Sequence, residues 1–117
     1  AAHYATRQAD FARRWQAALV RWEKEAAVLK GMPVVYHHRN WVYLAAWLGL
    51  KEVGVLEPKP GLPPGAAHLA QLLERLKAQP ARAVLRTPYE DARASDWLAA
   101  RAGPASPPKS RNRPARP

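Results

Sequence analysis

Large apolar side chains and charged side chains alternate over the first thirty residues with the spacing of an amphipathic helix. The apolar positions recur at steps of three, four or seven: Phe11, Trp15, Leu19, Trp22 and Leu29. This spacing gathers them on one helical face and leaves the arginines on the opposite face. We therefore predict a helix over residues 1–30 that packs through its tryptophans and is ended by Gly31 and Pro33.

After Gly31 the pattern changes to short apolar runs that alternate with helical spacing. The short runs predict strands at residues 34–37, 53–56 and 83–85. Helical spacing follows each run and predicts helices that contain residues 41–48, 69–76 and 97–98. Asn40 and either Asp91 or Ser95 are the expected helix caps. The predicted fold class is α/β, with a long N-terminal helix followed by a β-α-β-α-β-α parallel-sheet lobe.

The candidate chemistry lies where strands give way to helices, because parallel sheets bind ligands beyond the carboxyl ends of their strands. Those junctions carry potential ligands or acid–base groups: His37 and His38, then Glu57, then Glu90 and Asp91. If the first strand lies between the other two, the first and third junctions are neighbours.

Side chains alternate along a strand, so the two adjacent histidines are expected to point to opposite sides of the sheet. His38 is the one expected at the rim of the crevice, as a metal ligand or as a hydrogen-bonded loop residue. Glu90 and Asp91 are candidate ligands too, and a helix cap is the alternative role for Asp91. The predicted metal-ligand set is therefore His38, Glu90 and Asp91.

Composition and charge narrow the classes of function. The chain of 117 residues contains 19 Lys+Arg against 9 Asp+Glu and no cysteine. Thiol nucleophiles, disulfides, cysteine-zinc sites and iron–sulfur clusters are thereby excluded. No apolar run approaches the roughly 20 residues of a membrane span, and residues 1–30 lack the apolar segment of a signal peptide. No catalytic triad order, zinc-protease motif or glycine-rich phosphate loop occurs, so we do not expect an enzyme.

Residues 103–117 differ from the rest of the chain. They contain five prolines and four basic residues, and no Val, Leu, Ile, Met or aromatic side chain. Such a segment cannot offset the cost of ordering its backbone, so we predict a disordered tail. An alternative function for the whole chain follows from this charge: a small basic protein that binds nucleic acid through the arginine-bearing helix and the tail. The tail has no aromatic residue to stack on bases, which disfavours that alternative.

Two segments resemble a known family. Residues 35–50 read VYHHRNWVYLAAWLGL, and residues 56–64 read LEPKPGLPP. Both resemble the C-terminal lobe of the metal-ion substrate-binding proteins of ABC importers, which take up zinc or manganese. The family pattern of a strand, a histidine, an aromatic residue, a tyrosine and a helix ending in Gly-Leu falls on His38, Trp41, Tyr43 and Gly49-Leu50. The likeness continues through residues 86–91 and 97–99 and covers about residues 7–102.

The resemblance implies a two-lobed periplasmic protein whose lobes are joined by a long helix, here residues 1–30. The ion, zinc or manganese, would lie between the lobes and pass to an ABC permease. It would be held by two histidines of an N-terminal lobe and two ligands of this lobe, which spans residues 31–102. His38 matches the histidine of this lobe.

The second ligand of the family lobe is an aspartate that lies beyond a further strand. Here the Pro/Arg-rich residues 103–117 stand in place of that strand. The resemblance therefore implies a parallel-sheet lobe that is incomplete at its C-terminal edge, and we expect a truncation or a shifted reading frame. A missing N-terminal lobe is expected as a partner. A bare sheet edge is expected to permit self-association.

Overall fold

A computed structural model describes residues 1–102 of the chain. Its helices are α1 (Ala2–Ala26), α2 (Val42–Leu48), α3 (Ala66–Ala78) and α4 (Ala92–Ala102), and a 3₁₀ turn over Ala27–Leu29 extends α1. Its strands are β1 (Pro33–Tyr36), β2 (Lys51–Val55) and β3 (Ala83–Leu85). The predicted order of elements is confirmed. The tail predicted at 103–117 lies outside the described residues.

The three strands form one parallel sheet in the order β2-β1-β3. Tyr36 at the end of β1 is in register with Val55 of β2 and with Leu85 of β3. The α/β class with a long N-terminal helix is therefore confirmed, and the first strand does lie between the other two. Because all three strands are parallel, their carboxyl ends meet at one edge of the sheet. Self-association through an outer strand stays a prediction.

The sheet is covered on both faces, which is why β1 is a continuous apolar run. Val35 faces the larger core cluster with Leu56, Leu72 and Leu98, where α3 and α4 pack. Val34 and its neighbours face a smaller cluster on the side of α2 (Val34, Tyr36 and Ala45). Alternate residues of one strand thus anchor two separate layers of helix.

Helix α1 carries the predicted apolar stripe, but the prediction that it packs through its tryptophans is wrong for the described chain. No residue of α1 is buried. Phe11, Trp15 and Trp22 are 57%, 44% and 37% exposed, respectively. Their rings contact one another along the helix, with centroids 5.9 Å and 5.6 Å apart. Periodicity shows which face of a helix is apolar, whereas burial also needs a surface that covers that face.

The helix starts also differ in part from the prediction. Trp41, and not Asn40, occupies the cap position of α2, and no side chain caps that helix. Asn40 instead donates its backbone N–H to the carbonyl of His38 at 2.9 Å, in the bend that follows β1. At α4 the backbone N–H of Arg93 donates to Asp91 Oδ1 at 2.9 Å, so Asp91 is the cap. Among residues 1–102, no helix combines the length and apolar character needed to cross a membrane.

Candidate metal-binding site

Strands β1 and β2 bring His38 and Glu57 together at the carboxyl edge of the sheet. The register continues one step beyond the strands, where the N–H of Leu56 donates to the carbonyl of Tyr36 at 2.8 Å. Two residues past the Tyr36–Val55 pair, the Nδ1 atom of His38 hydrogen-bonds Glu57 Oε2. The His38 side chain is 36% exposed and the Glu57 side chain only 16% exposed. The His38–Glu57 pair is therefore partly buried and still accessible to solvent on the His38 side.

The charge state of Glu57 fixes the direction of this hydrogen bond. The bond from the His38 ring is the main cause that lowers the pKa of the Glu57 carboxyl, although partial desolvation opposes it. The carboxyl group is therefore ionised at neutral pH, and an ionised carboxylate only accepts hydrogen bonds. It follows that Nδ1 of His38 carries the proton. Within residues 1–102 the Nε2 atom of His38 has no hydrogen-bond partner, so its lone pair is free in the neutral ring.

A cavity of about 730 Å³ opens beside this pair. His38, Glu57 and His68 all border it. His68 does not turn its Nε2 atom toward the pair, since that atom hydrogen-bonds the carbonyl of Val55 at 2.9 Å. Two of the charged groups on its rim, Arg39 and Glu52, form an ion pair at 2.9 Å, and Arg75 also borders the cavity. The Nε2 atom of His38 therefore offers a lone pair at the edge of the cavity. Because Nε2 of His68 donates to a carbonyl, the lone pair of the neutral His68 ring is on Nδ1.

His37 occupies the opposite side of the sheet edge, as the alternation along a strand predicts. It is buried and borders a second cavity of about 550 Å³ together with Glu90 and Asp91. Its Nδ1 atom is buried without a hydrogen-bond partner in the described part of the chain. Glu57 borders both cavities. The structure therefore brings Glu90 and Asp91 beside His37, and not beside His38.

Glu90 and Asp91, which border this second cavity, already accept hydrogen bonds. Glu90 Oε2 accepts the backbone N–H of Thr87 at 2.7 Å. Asp91 accepts both the backbone and the side chain of Arg93, with Arg93 Nε at 2.8 Å from Oδ2. The hydrogen bonds from Arg93 lower the pKa of Asp91 to about 2. Such contacts are typical of the start of a helix, where side-chain oxygens accept hydrogen bonds from backbone N–H groups.

Glu57 is the residue that the predicted ligand set lacks. The sequence placed it at a strand-to-helix junction, and the central position of β1 makes that junction a neighbour of His38. The register between β1 and β2 determines which acidic residue contacts His38. Because Tyr36 pairs with Val55, His38 lies opposite Glu57 two residues further on. Across residues 1–102 no three His, Asp or Glu side chains converge in a group that could hold a metal ion by themselves.

Comparisons with known proteins identify the family of the chain. A search of curated proteins gave no match to the chain. The profile of one family matches residues 1–113, almost the whole sequence, and it confirms the resemblance to metal-ion binding proteins of ABC importers. The chain belongs to the family described as zinc-uptake complex component A, periplasmic (ZnuA).

Proposed function

We propose that this chain acts as the C-terminal lobe of a periplasmic protein that captures zinc and delivers it to an ABC permease. His38 supplies one ligand, and an N-terminal lobe supplies further histidines across a cleft. The role is reversible capture, so no catalytic residue is assigned. The observation that carries the proposal is the free Nε2 atom of His38 at the edge of a cavity, in a chain of a zinc-uptake family.

The chemistry of the pair favours zinc over manganese. A neutral imidazole nitrogen binds zinc at about 2.0–2.1 Å, and zinc is usually held by four ligands. Manganese prefers carboxylate oxygens, whereas the carboxylate nearest to His38 is engaged with its ring. One imidazole and solvent give only weak binding, so we expect this chain to bind zinc weakly when it is alone. A second lobe raises the affinity by completing the ligand set.

The exposed aromatic face of α1 supports a two-lobed arrangement. Phe11, Trp15 and Trp22 form a continuous apolar surface that the described lobe does not cover. Contiguous apolar patches of this kind commonly mark an interaction surface. We propose that the N-terminal lobe packs on this face. Three of the four arginines of α1 pair with carboxylates of the same helix, Arg13 and Arg14 with Asp10 and Arg21 with Glu25. These pairs leave less free positive charge for a nucleic-acid surface.

Titration with zinc tests the proposal. In the ¹⁵N-labelled chain we expect zinc to shift the imidazole nitrogens of His38 before those of the other histidines, and His38→Ala to remove most of the binding. His3→Ala is the control, since His3 lies on α1 and does not border the cavity. Glu90→Gln and Asp91→Asn test the two carboxylates that the sequence predicted. Equal zinc affinities of the wild type and His38→Ala would overturn the proposal.

A further inference from the structure

Glu57 is fixed to β1 through both its side chain and its backbone. Its carboxylate accepts the Nδ1 proton of His38, and its side chain is largely buried. Its backbone N–H donates to the carbonyl of His37 at 3.1 Å. His37 in turn donates its own N–H to the carbonyl of Leu85 at 2.9 Å, which ties the same segment to β3. The carboxylate that contacts His38 therefore has little freedom to move away from it.

The loop after Glu57 turns back toward the carboxylate. The N–H of Leu62 donates to the carbonyl of Lys59 at 3.0 Å, and this bond closes a turn with Pro60 and Gly61 at its centre. Gly61 has φ +77°, the left-handed conformation that the third position of a type II turn requires. The backbone N–H of Gly61 is a further, smaller cause that lowers the pKa of the Glu57 carboxyl. The Pro-Gly turn thus places a backbone dipole near the group that contacts the histidine ring.

We propose that Glu57 is a positioning residue for His38, which fixes the orientation and tautomer of the ring so that Nε2 is the atom offered to the ion. This inference rests on the proposed function, in which His38 binds zinc. A histidine that ligates a metal commonly donates its other N–H to a carboxylate, and loss of that partner lowers metal affinity about 10- to 100-fold. The Pro60–Gly61 turn belongs to the same arrangement, because it keeps the backbone N–H of Gly61 close enough to lower the pKa of the Glu57 carboxyl.

The tautomer of His38 is the direct readout. Long-range ¹H–¹⁵N correlation spectra of the labelled chain, recorded without zinc at mildly alkaline pH, distinguish a proton on Nδ1 from a proton on Nε2. We expect Nδ1 to carry the proton in the wild type. In Glu57→Ala we expect a shift toward the Nε2-protonated form and a rise of about 10- to 100-fold in the dissociation constant for zinc. Glu57→Gln keeps an acceptor oxygen, and we expect it to retain the tautomer and part of the affinity.

Glu52→Ala is the matched control, because Glu52 borders the same cavity and pairs with Arg39 rather than with His38. We expect it to leave the tautomer and the zinc affinity unchanged. A wild-type ring protonated on Nε2, or an unchanged zinc affinity in Glu57→Ala, overturns the role of Glu57 even if His38→Ala abolishes binding. If His38→Ala leaves binding intact, the proposed function fails instead. Should Glu57→Ala not fold, the wild-type tautomer and the Gln variant still decide the question.

Discussion

We expect Leu98→Ala to lower the free energy of unfolding more than Trp15→Ala does. Usually the truncation of a tryptophan costs at least as much as that of a leucine. Leu98 of α4 is completely buried in the larger core cluster. The change to alanine removes three carbon atoms, worth about 0.8 kcal/mol each, or about 2.4 kcal/mol in total. Since the surrounding core relaxes only partly, the cavity left behind raises the expected loss to about 3–4 kcal/mol. That is a large fraction of the about 5–15 kcal/mol by which small domains are stable.

Trp15→Ala is expected to cost far less, although buried tryptophans usually cost about 3–5 kcal/mol when truncated. Trp15 is 44% exposed, and its ring contacts are Phe11 and Trp22 on the same helix. Side-chain pairs along a helix contribute only about 0.2–0.5 kcal/mol each. We therefore expect Trp15→Ala to lower the free energy of unfolding of the chain by less than about 1 kcal/mol.

Urea denaturation followed by circular dichroism measures both losses by linear extrapolation. Leu62→Ala serves as the control, since Leu62 is 51% exposed and the same three carbons are removed from solvent rather than from the core. A loss below about 1 kcal/mol for Leu98→Ala would refute the packing argument. A loss for Trp15→Ala as large as that for Leu98→Ala would refute the conclusion that the aromatic face of α1 is uncovered.

Two further predictions concern a close approach and a helix cap. Gly54→Ala places a Cβ atom against Cδ1 of the buried Leu72, and we expect it to lower the free energy of unfolding by about 1–3 kcal/mol. Gly65→Ala is the control and is expected to cost less, because nothing lies within 4 Å of its Cβ position. Equal losses for the two variants in urea denaturation would contradict this reasoning. The hydrogen bonds from Arg93 lower the pKa of Asp91 from 3.8 to about 2, so its stabilisation of α4 is complete above about pH 4 and is lost as the pH falls toward 2. The difference in unfolding free energy between the wild type and Asp91→Asn should shrink over that range, and a constant difference would contradict the assignment.

The elements and their order follow from local patterns, because each strand and helix has a distinct period. The alternation of side chains also predicts that His37 and His38 lie on opposite sides, as the two cavities confirm. Local patterns do not predict which acidic group contacts His38. Glu57 and Glu90 both follow a strand next to β1, and the choice between them depends on register and on the path of each loop. The period of apolar residues in the sequence contains no information about the strand register or about the path of a loop.

The two errors have a common cause. Asn40 is a good helix cap by residue type, but its backbone is already used in the bend after β1, so the helix starts later. The tryptophans of α1 form the predicted stripe, but burial depends on what lies opposite. In both cases the local preference is real, and a neighbouring part of the molecule determines where the helix starts or whether its apolar face is buried. Tertiary context of this kind commonly overrides propensity.

The central place of β1 has a consequence for how the lobe opens. The backbone of β1 is bonded on both sides, to β2 and to β3, so each of its bonded amide protons exchanges with solvent only when the pairing with one of these neighbours breaks. The outer strands and the long N-terminal helix have fewer such ties and are expected to exchange sooner. His38 follows directly after this central strand, and we expect its imidazole to be carried by a late-opening part of the lobe.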